Sequence, residues 1–241
     1  MNYFNNQDLY NKLYKQSKKN IKENKTSILE TINGVKIMVR HNIFDIKIVK
    51  EQFIDKQYFP SDVADIIGKP KTVLDIGGYI GDFTLYCAGN LNSTVHVYEP
   101  TPQNFKILKQ NFEHNLHLQN LIKIFNKGIS SANEIIPIEI QEKDNEIHAS
   151  SHKSYTEKSS KYNIECIDIL SAIDQFDNKI VDFCKIDTEG QEFVIFENID
   201  VDHLSNKIKI IVFEHHSFVE NYDEKLQKLK ERLNKSFRLF K

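Results

Sequence analysis

The sequence contains few cysteines, no long apolar run and almost no net charge, and each of these absences excludes a class of protein. The three cysteines among 241 residues, Cys87, Cys166 and Cys184, are far apart and form no C-x-x-C pair. This pattern argues against a disulfide scaffold and against a thiolate zinc site. The 32 basic and 34 acidic residues give a net charge of −2, which argues against a nucleic acid or an anionic membrane as partner.

Targeting and membrane segments are also missing from the sequence. No apolar run reaches the roughly 18 residues that a membrane span requires. The first residues are rich in Asn and Lys and do not have the charged-then-apolar order of a signal peptide. We therefore expect a soluble, globular and cytoplasmic protein in a reducing compartment.

Residues 1–70 predict an N-terminal extension with a helix and a β-hairpin. The spacing of Leu9, Tyr10, Leu13 and Tyr14 places these side chains on one helical face. Further along, an Asn-Gly pair at position 33 separates two β-rich runs, which is a strong hairpin signal because both turn residues tolerate positive φ. A mixed stretch, residues 44–68, follows without a clear pattern.

From residue 71 onwards, short apolar runs alternate with amphipathic stretches. Five runs read as buried strands: Thr72–Ile76, Val95–Tyr98, Ile122–Phe125, Val181–Ile186 and Ile208–Phe213. One helix is predicted to start at Thr101-Pro102, and another is predicted around Tyr222–Leu233. This alternation indicates an α/β fold with a mostly parallel twisted sheet and helices on both faces. We therefore predict a second unit, residues 71–241.

The region 130–163 interrupts this alternation. It contains one alternating strand, with Ile136, Ile138 and Ile140, and then a polar stretch from Gln141 to Lys161. A loop of this length inside a compact α/β unit is either disordered or functional.

The segment from Val73 to Phe83 is the most informative one, because a buried strand runs into glycines and then into a helix. The glycines fall at 77, 78 and 81, so the G-x-G-x-x-G dinucleotide motif is not met. A phosphate-binding G-K-[ST] sequence is absent as well. The remaining motif with this geometry, D-x-G-x-x-x-G, approaches an amino acid and a nucleoside. Glu99, which ends the next strand, is placed to bind both hydroxyls of a ribose.

Three blocks of the sequence resemble the signature motifs of the FkbM family of S-adenosylmethionine-dependent O-methyltransferases. They are Asp75–Gly81 (DIGGYIG), Tyr98–Pro102 (YEPTP) and Lys185–Gly190 (KIDTEG). The resemblance runs from about residue 44 to about residue 216. It implies a class I, Rossmann-like fold with a seven-stranded sheet, and S-adenosylmethionine as cofactor with S-adenosylhomocysteine as product.

The resemblance also implies which residues bind the cofactor. The glycine loop would flank the methionine part, Glu99 would bind the ribose, and residues 126–130 would lie near the adenine. Family members often have Ala-Asn at the position of Gly78-Tyr79, so Tyr79 would bring a bulky phenol close to the methionine. The predicted cofactor-binding residues are Asp75, Gly77, Gly78, Tyr79, Gly81, Glu99, Pro100 and Asp187.

Methyl transfer to a hydroxyl is an in-line displacement in which the protein must orient the acceptor and take its proton. Asp187 and Glu189 follow a strand at the carboxyl edge, where open α/β sheets bind ligands. Glu189 is the better candidate to bind or deprotonate the acceptor, although it could instead cap the following helix. His216 is an alternative base, because imidazole titrates near neutral pH. We interpret Lys185 as a residue with a buried stem or as a salt-bridge partner of these acids, and not as a nucleophile.

The acceptor is predicted to contact the strand end at Glu214 and His215 and the polar stretch at His148 and Ser151. Asp187, Glu189, Glu214 and His216 could converge on a divalent ion. A metal is nevertheless not expected.

The sequence thus predicts an enzyme that methylates an oxygen of a sugar, a surface-glycan precursor, a phosphorylated compound or another small metabolite. Such an activity would fit polysaccharide biosynthesis in a bacterium. Two alternatives stay open: an N-methyltransferase on the same fold, and a catalytically silent binding module. A nucleic acid methyltransferase is not favoured, because the target-base motif N/D-P-P-Y/F is absent.

After the last helix only Ser236–Lys241 remain, so the final strand is supplied differently or the chain ends early. A homodimer could cover the resulting open edge.

Overall fold

The structure is a computed structural model that describes residues 2–19, 23–143, 146–150 and 159–239, with the backbone alone at 23–24, 43, 141–143 and 146–150. The strands are β1 (Glu23–Glu30), β2 (Lys36–His41), β3 (Thr72–Ile76), β4 (Thr94–Tyr98), β5 (Ile122–Phe125), β6 (Gly128–Ser130), β7 (Glu134–Lys143), β8 (Glu146–Ser150), β9 (Ser159–Asp168), β10 (Val181–Ile186) and β11 (Ile208–Phe213). The α-helices are α1 (Gln7–Lys18), α2 (Ile43–Phe53), α3 (Ser61–Ile67), α4 (Asp82–Tyr86), α5 (Pro102–Glu113), α6 (Ile169–Ile173), α7 (Glu192–Ile195), α8 (Val201–Ser205) and α9 (Tyr222–Leu233).

The main sheet is parallel and has the strand order β11-β10-β3-β4-β5. All five strands predicted from the apolar runs are confirmed, because strands covered on both faces are apolar at nearly every position. The resemblance implies seven strands, whereas this sheet has five in the described part of the chain. The chain order reverses between β3 and β10, which makes this point the topological switch where open α/β sheets bind ligands.

The second sheet has the order β6-β9-β7-β8, and it corrects the interpretation of residues 141–161 as one long loop. β8 and the start of β9 fall inside that segment. The register of β7 and β9 is antiparallel over eight residue pairs, from Glu134 opposite Cys166 to Gln141 opposite Ser159. The prediction failed because only one face of such a strand is apolar, and the other face made the segment read as polar.

The N-terminal residues share a hydrophobic core with the main sheet. Tyr10 and Leu13 of α1 are buried, as predicted, in the cluster that also contains Val73 and Val95. The mixed stretch 44–68 contains α2 and α3. Asn42 caps α2, since its side chain accepts a hydrogen bond from the backbone N–H of Asp45 at 2.7 Å. The predicted boundary at residue 70 falls between α3 and β3 and stays a prediction.

The hairpin β1–β2 is confirmed, but its turn is wider than two residues. Glu30 pairs with Lys36, so residues 31–35 form the connection. Within it only Gly34 has a positive φ, of 81°.

The C-terminal part of the described chain ends on α9, and residues 234–239 form no strand. Leu229 and Leu233 of α9 are buried against the second core cluster. No helix in the described ranges has the length and apolarity to cross a membrane. The homodimer stays a prediction.

Candidate active site

A cavity opens at the switch point, where β3, β4 and β10 end at the same edge of the sheet. Ile76 is paired with Tyr98 on one side and with Ile186 on the other. Gly77, Glu99 and Asp187, the next residue of each strand, therefore follow side by side, and all three line the cavity. We call these three residues, together with Thr188 and Glu189, the strand-end wall.

Glycine is required at position 77 because two strand ends pack closely there. A Cβ atom at this position would lie 1.7 Å from the backbone carbonyl oxygen of Asp187, and its φ is 80°. Gly78 and Gly81 are outside the cavity lining. A Cβ atom at Gly78 would lie 2.1 Å from the side chain of Val97, and one at Gly81 would lie 3.4 Å from the side chain of Leu108. The cofactor roles of these two glycines stay predictions.

Glu99 is buried, and backbone donors hold both of its carboxylate oxygens. Oε2 accepts a hydrogen bond from the N–H of Tyr79 at 2.9 Å, and Oε1 accepts one from the N–H of Thr101 at 2.8 Å. Burial raises the pKa of Glu99 to about 7, although these hydrogen bonds oppose the shift. The Thr101 hydroxyl also donates to this carboxylate. A carboxylate has about four acceptor sites on its two oxygens, so Glu99 retains capacity for a ligand hydroxyl.

The side chain of Tyr79 turns towards α2. Its hydroxyl donates to Oδ1 of Asp45 at 2.7 Å, and the guanidinium of Arg40 lies 5.2 Å from its ring centroid. Arg40 and Asp45 form a buried ion pair at 2.9 Å. Tyr79 therefore fixes the glycine loop to α2 through its phenol, while the loop backbone faces the cavity.

Asp75 lies behind the glycine loop and does not line the cavity. Its Oδ2 accepts a hydrogen bond from the Thr84 hydroxyl at 2.6 Å. Lys185 places its Nζ 3.5 Å from Asp75 Oδ1 and 3.9 Å from Asp187 Oδ2, and it donates to the carbonyl of Gly77 at 2.5 Å. Burial lowers the pKa of Lys185, but the neighbouring carboxylates outweigh burial and raise it. The predicted salt-bridge role of Lys185 is confirmed.

Glu192, which no sequence motif marked, organises the loop after β10. It is fully buried, and its Oε1 accepts hydrogen bonds from the N–H and hydroxyl of Thr188, the N–H of Gly190 and Nδ1 of His216 at 3.0–3.2 Å. Burial would raise its pKa, but these donors lower it. The only signal in the sequence was a third acid just after the strand-end motif.

His216 lies beside three acids. Its Nε2 is 3.8 Å from Asp187 Oδ1 and 3.8 Å from Glu189 Oε2. Burial lowers its pKa, but the bond to Glu192 and the charges of Glu189 and Asp187 outweigh burial and raise it to about 9. His216 is therefore protonated at neutral pH, and it can accept a proton only well above that range.

Asp187, Glu192 and His216 offer ligand atoms that all lie within 4.8 Å of one another. The same three side chains also form an ion-paired network of a cationic imidazole and two carboxylates. The imidazole offsets one of the two carboxylate charges.

Tyr58, in the segment between α2 and α3, connects the N-terminal part to two strand ends. Its hydroxyl lies 2.9 Å from Asp187 Oδ2 and 3.1 Å from Glu214 Oε2. Burial and the two carboxylates raise the pKa of Tyr58 above its ordinary value. Since a phenol carries one proton, Tyr58 donates to one carboxylate at a time. No sequence pattern marked this residue.

The other predicted acceptor residues lie away from the cavity or outside the described residues. His215 is exposed, and its Nδ1 is 2.6 Å from the hydroxyl of Tyr222. Glu214 is exposed and reaches the site only through Tyr58. The side chain of His148 and the whole of Ser151 lie outside the described part of the chain, so their roles stay predictions.

The remaining walls come from α2 and the second sheet. One side of the cavity is lined by four side chains of α2: Phe44, Ile48, Glu51 and Gln52. We call these four residues, together with Tyr58, the α2 wall. The second sheet contributes an apolar surface with Ile136, Ile138 and Ile164. Gly128 and Ile129, within the segment predicted to lie near an adenine, also line the cavity.

The residues present fit S-adenosylmethionine. Glu99 retains acceptor capacity for ribose hydroxyls, and the apolar surface of the second sheet suits a purine. The hydroxyl of the cavity-lining residue Tyr98 is buried without a hydrogen-bond partner in the described chain. Carboxyl groups of Glu51, Asp82, Glu99, Asp187 and Glu189 line the cavity together with one lysine, Lys185, which suits a ligand with a sulfonium and an ammonium group.

The fold and the glycine-loop site define a class I methyltransferase domain, in the class of S-adenosylmethionine-dependent methyltransferases. A family model described as the methyltransferase FkbM domain matches residues 75–237. The chain belongs to this family.

Solved structures are similar to the chain in fold. The METTL16 MTase domain is 17% identical and has a TM-score of 0.51, and the alignment covers 97% of this chain and 83% of that one. Methyltransferase FkbM from Methylobacillus flagellatus KT is 15% identical, with a TM-score of 0.46 and coverages of 70% and 38%. A SAM-dependent methyltransferase from Agrobacterium tumefaciens is 14% identical, with a TM-score of 0.38 and coverages of 67% and 39%. The chain thus spans about two fifths of the length of the latter two. No curated protein matches the sequence.

Proposed function

We propose that the chain transfers a methyl group from S-adenosylmethionine to an oxygen of a sugar, a surface-glycan precursor or another small hydroxylated metabolite. The observation that carries this proposal is the strand-end wall. It places the carboxyl group of Glu99, suited to a ribose, beside Asp187 and Glu189 at one edge of the sheet. Family membership supports the methyl donor.

The proposed orientation of the donor follows from the cavity walls. The apolar surface of the second sheet and Ile129 would hold the adenine, Glu99 would accept from the ribose hydroxyls, and the loop at Gly77 would flank the methionine part. The bound cofactor supplies an electrophilic methyl group on a sulfonium. The chain itself must then bring the acceptor oxygen into line and take its proton.

Glu189 is our proposed base. Its side chain is 55% exposed, so an acceptor that enters from solvent can reach it, and it lines the cavity. Its φ of 53° is a strained value for a non-glycine residue, and such strain is common where a side chain is held for function. Protonated His216 holds Glu189 and Asp187 by charge, while Asp187 would position the acceptor through its bond to Tyr58.

The acceptor class is inferred from the polar groups at the open end of the cavity. Carboxylates and the amide of Gln191 accept hydrogen bonds from hydroxyls, which sugars provide at adjacent positions. We propose that the acceptor is a small molecule or glycan in the cytoplasm rather than a nucleic acid.

The test is transfer of an isotopically labelled methyl group to a panel of sugars, sugar nucleotides, amines and oligonucleotides. We expect label on an oxygen of a hydroxylated acceptor, located by fragmentation mass spectrometry. Glu189→Gln should lower the turnover number at least about 100-fold and leave S-adenosylhomocysteine binding unchanged. Label on nitrogen would establish the N-methyltransferase alternative. Cofactor binding without transfer to any of these acceptors would favour the silent binding module.

A further inference from the structure

Gln52 on the α2 wall is a buried amide without a hydrogen-bond partner. Its side chain is 1% exposed and lines the cavity. Neither Oε1 nor Nε2 has a partner in the described part of the chain. Leaving a buried donor and a buried acceptor unsatisfied destabilises a fold. In native structures such groups are satisfied by a bound water, an ion or a ligand.

The position of Gln52 is fixed by the packing of α2. Phe44, Ile48, Glu51 and Gln52 are spaced i, i+4, i+7 and i+8, so they share one face of the helix. Ile46, Val49 and Phe53 of α2 are buried in the core, and α2 contacts α4, the helix that begins at Asp82 directly after the glycine loop. This wall precedes residue 75 and therefore lies outside the range of the family match.

Charge and depth indicate which ligand group Gln52 contacts. Asp82, also buried, lines the same cavity, whereas the groups nearer to solvent are Glu51, 30% exposed, and Glu189, 55% exposed. An acceptor that enters from solvent meets the exposed groups first. The deep amide is left to the ligand that binds beneath the acceptor.

We propose that Gln52 binds the α-amino-carboxylate end of the cofactor, with Nε2 donating to the carboxylate and Oε1 accepting from the ammonium. This assignment rests on the proposed function. An amide supplies one donor and one acceptor a short distance apart, and an α-amino acid presents the complementary pair. The buried carboxyl of Asp82 lies in the same cavity and adds a second partner for the ammonium.

The test compares two ligands that differ in this group. S-adenosylhomocysteine carries the α-amino-carboxylate, and 5′-methylthioadenosine has the same nucleoside and sulfur but lacks it. Both are titrated calorimetrically into the wild type, Gln52→Leu and the matched control Gln119→Leu, which makes the same change at an exposed site outside the cavity. We expect Gln52→Leu to bind S-adenosylhomocysteine about 10–100-fold more weakly and to bind 5′-methylthioadenosine as the wild type does.

A second measurement separates ligand binding from a structural role. Because Leu removes two unsatisfied groups, we expect the free Gln52→Leu chain to melt about 2–4 °C above the wild type. A structural role would lower the midpoint and weaken both ligands, which would overturn the inference. Unchanged S-adenosylhomocysteine binding in Gln52→Leu would also overturn it and assign the amide to the acceptor. No binding by the wild type would overturn the proposed function as well.

Discussion

The strand-end wall and the α2 wall face each other across the cavity, but their polar groups are satisfied differently. On the strand-end wall, two backbone N–H groups hold Glu99, and behind this wall four donors hold Glu192. On the α2 wall, Gln52 has no partner in the described part of the chain. The difference indicates that Glu99 and the loop after β10 are preorganised by the fold, whereas the Gln52 amide has acceptor and donor capacity left for a ligand.

The largest expected effect comes from removing Glu192, the buried carboxylate behind the strand-end wall. Glu192→Ala leaves a cationic imidazole and two loop N–H groups without their acceptor, and breaking a buried pair costs about 3–5 kcal/mol. Urea denaturation should show this loss in the free energy of unfolding. Glu197→Ala, at an exposed position, is the control. A loss below about 1 kcal/mol would contradict the view of a preorganised wall.

The pH dependence of the same ion pair gives the next effect. The pKa of His216 is raised from 6.5 to about 9 in the folded chain. Its stabilisation is therefore fully present below pH 6.5 and is lost as the pH rises through about 9. The shift corresponds to about 3 kcal/mol. The free energy of unfolding should fall more steeply between about pH 6.5 and 9.5 in the wild type than in His216→Gln, and equal slopes would refute the pairing.

Removal of the ribose acceptor should weaken cofactor binding somewhat less. Glu99→Gln keeps the shape of the side chain but removes the carboxylate proposed to accept from the ribose. We expect calorimetry to show about 10–100-fold weaker binding of S-adenosylhomocysteine, since hydrogen bonds to charged groups contribute about 1.5–3 kcal/mol. Glu113→Gln, outside the cavity, should bind like the wild type. If Glu99→Gln also did so, the ribose would have to lie elsewhere.

The smallest effect is expected on the α2 side, at Tyr58. Tyr58→Phe removes one hydroxyl from Asp187 and Glu214 and should lower the free energy of unfolding by about 1 kcal/mol. If the hydroxyl positions Asp187 for the acceptor, the Michaelis constant for the acceptor should rise while S-adenosylhomocysteine affinity stays constant. If the Michaelis constant for the acceptor and the dissociation constant of S-adenosylhomocysteine rose equally, Tyr58 would support the whole cavity.

The two walls also differ in how far they could be predicted from the sequence. The strands that carry the strand-end wall are covered on both faces, and their continuous apolar runs gave their positions to within a residue. Glycine and acid positions next to those strand ends then located the site. Glu192 was missed because its role depends on four donors that only the folded loop brings together.

The residues of the α2 wall form almost no recognisable pattern in the sequence. α2 lies in a stretch whose apolar residues face two directions, towards the core and towards the cavity, so no single stripe stands out. Gln52 and Tyr58 gain their importance from surroundings that distant parts of the chain supply. β9 was missed for a related reason, since its exposed polar residues conceal a one-sided strand pattern.

The close approach of Gly77 to the backbone carbonyl of Asp187 couples the glycine loop to the end of β10. With no room for even a methyl group between them, the glycine loop and the end of β10 cannot shift independently. If the donor binds at the loop and the acceptor at the strand end, as proposed, main-chain geometry sets the separation of the two reacting atoms. Any opening and closing that accompanies turnover would then occur in the α2 wall, while the edge of the main sheet stays fixed.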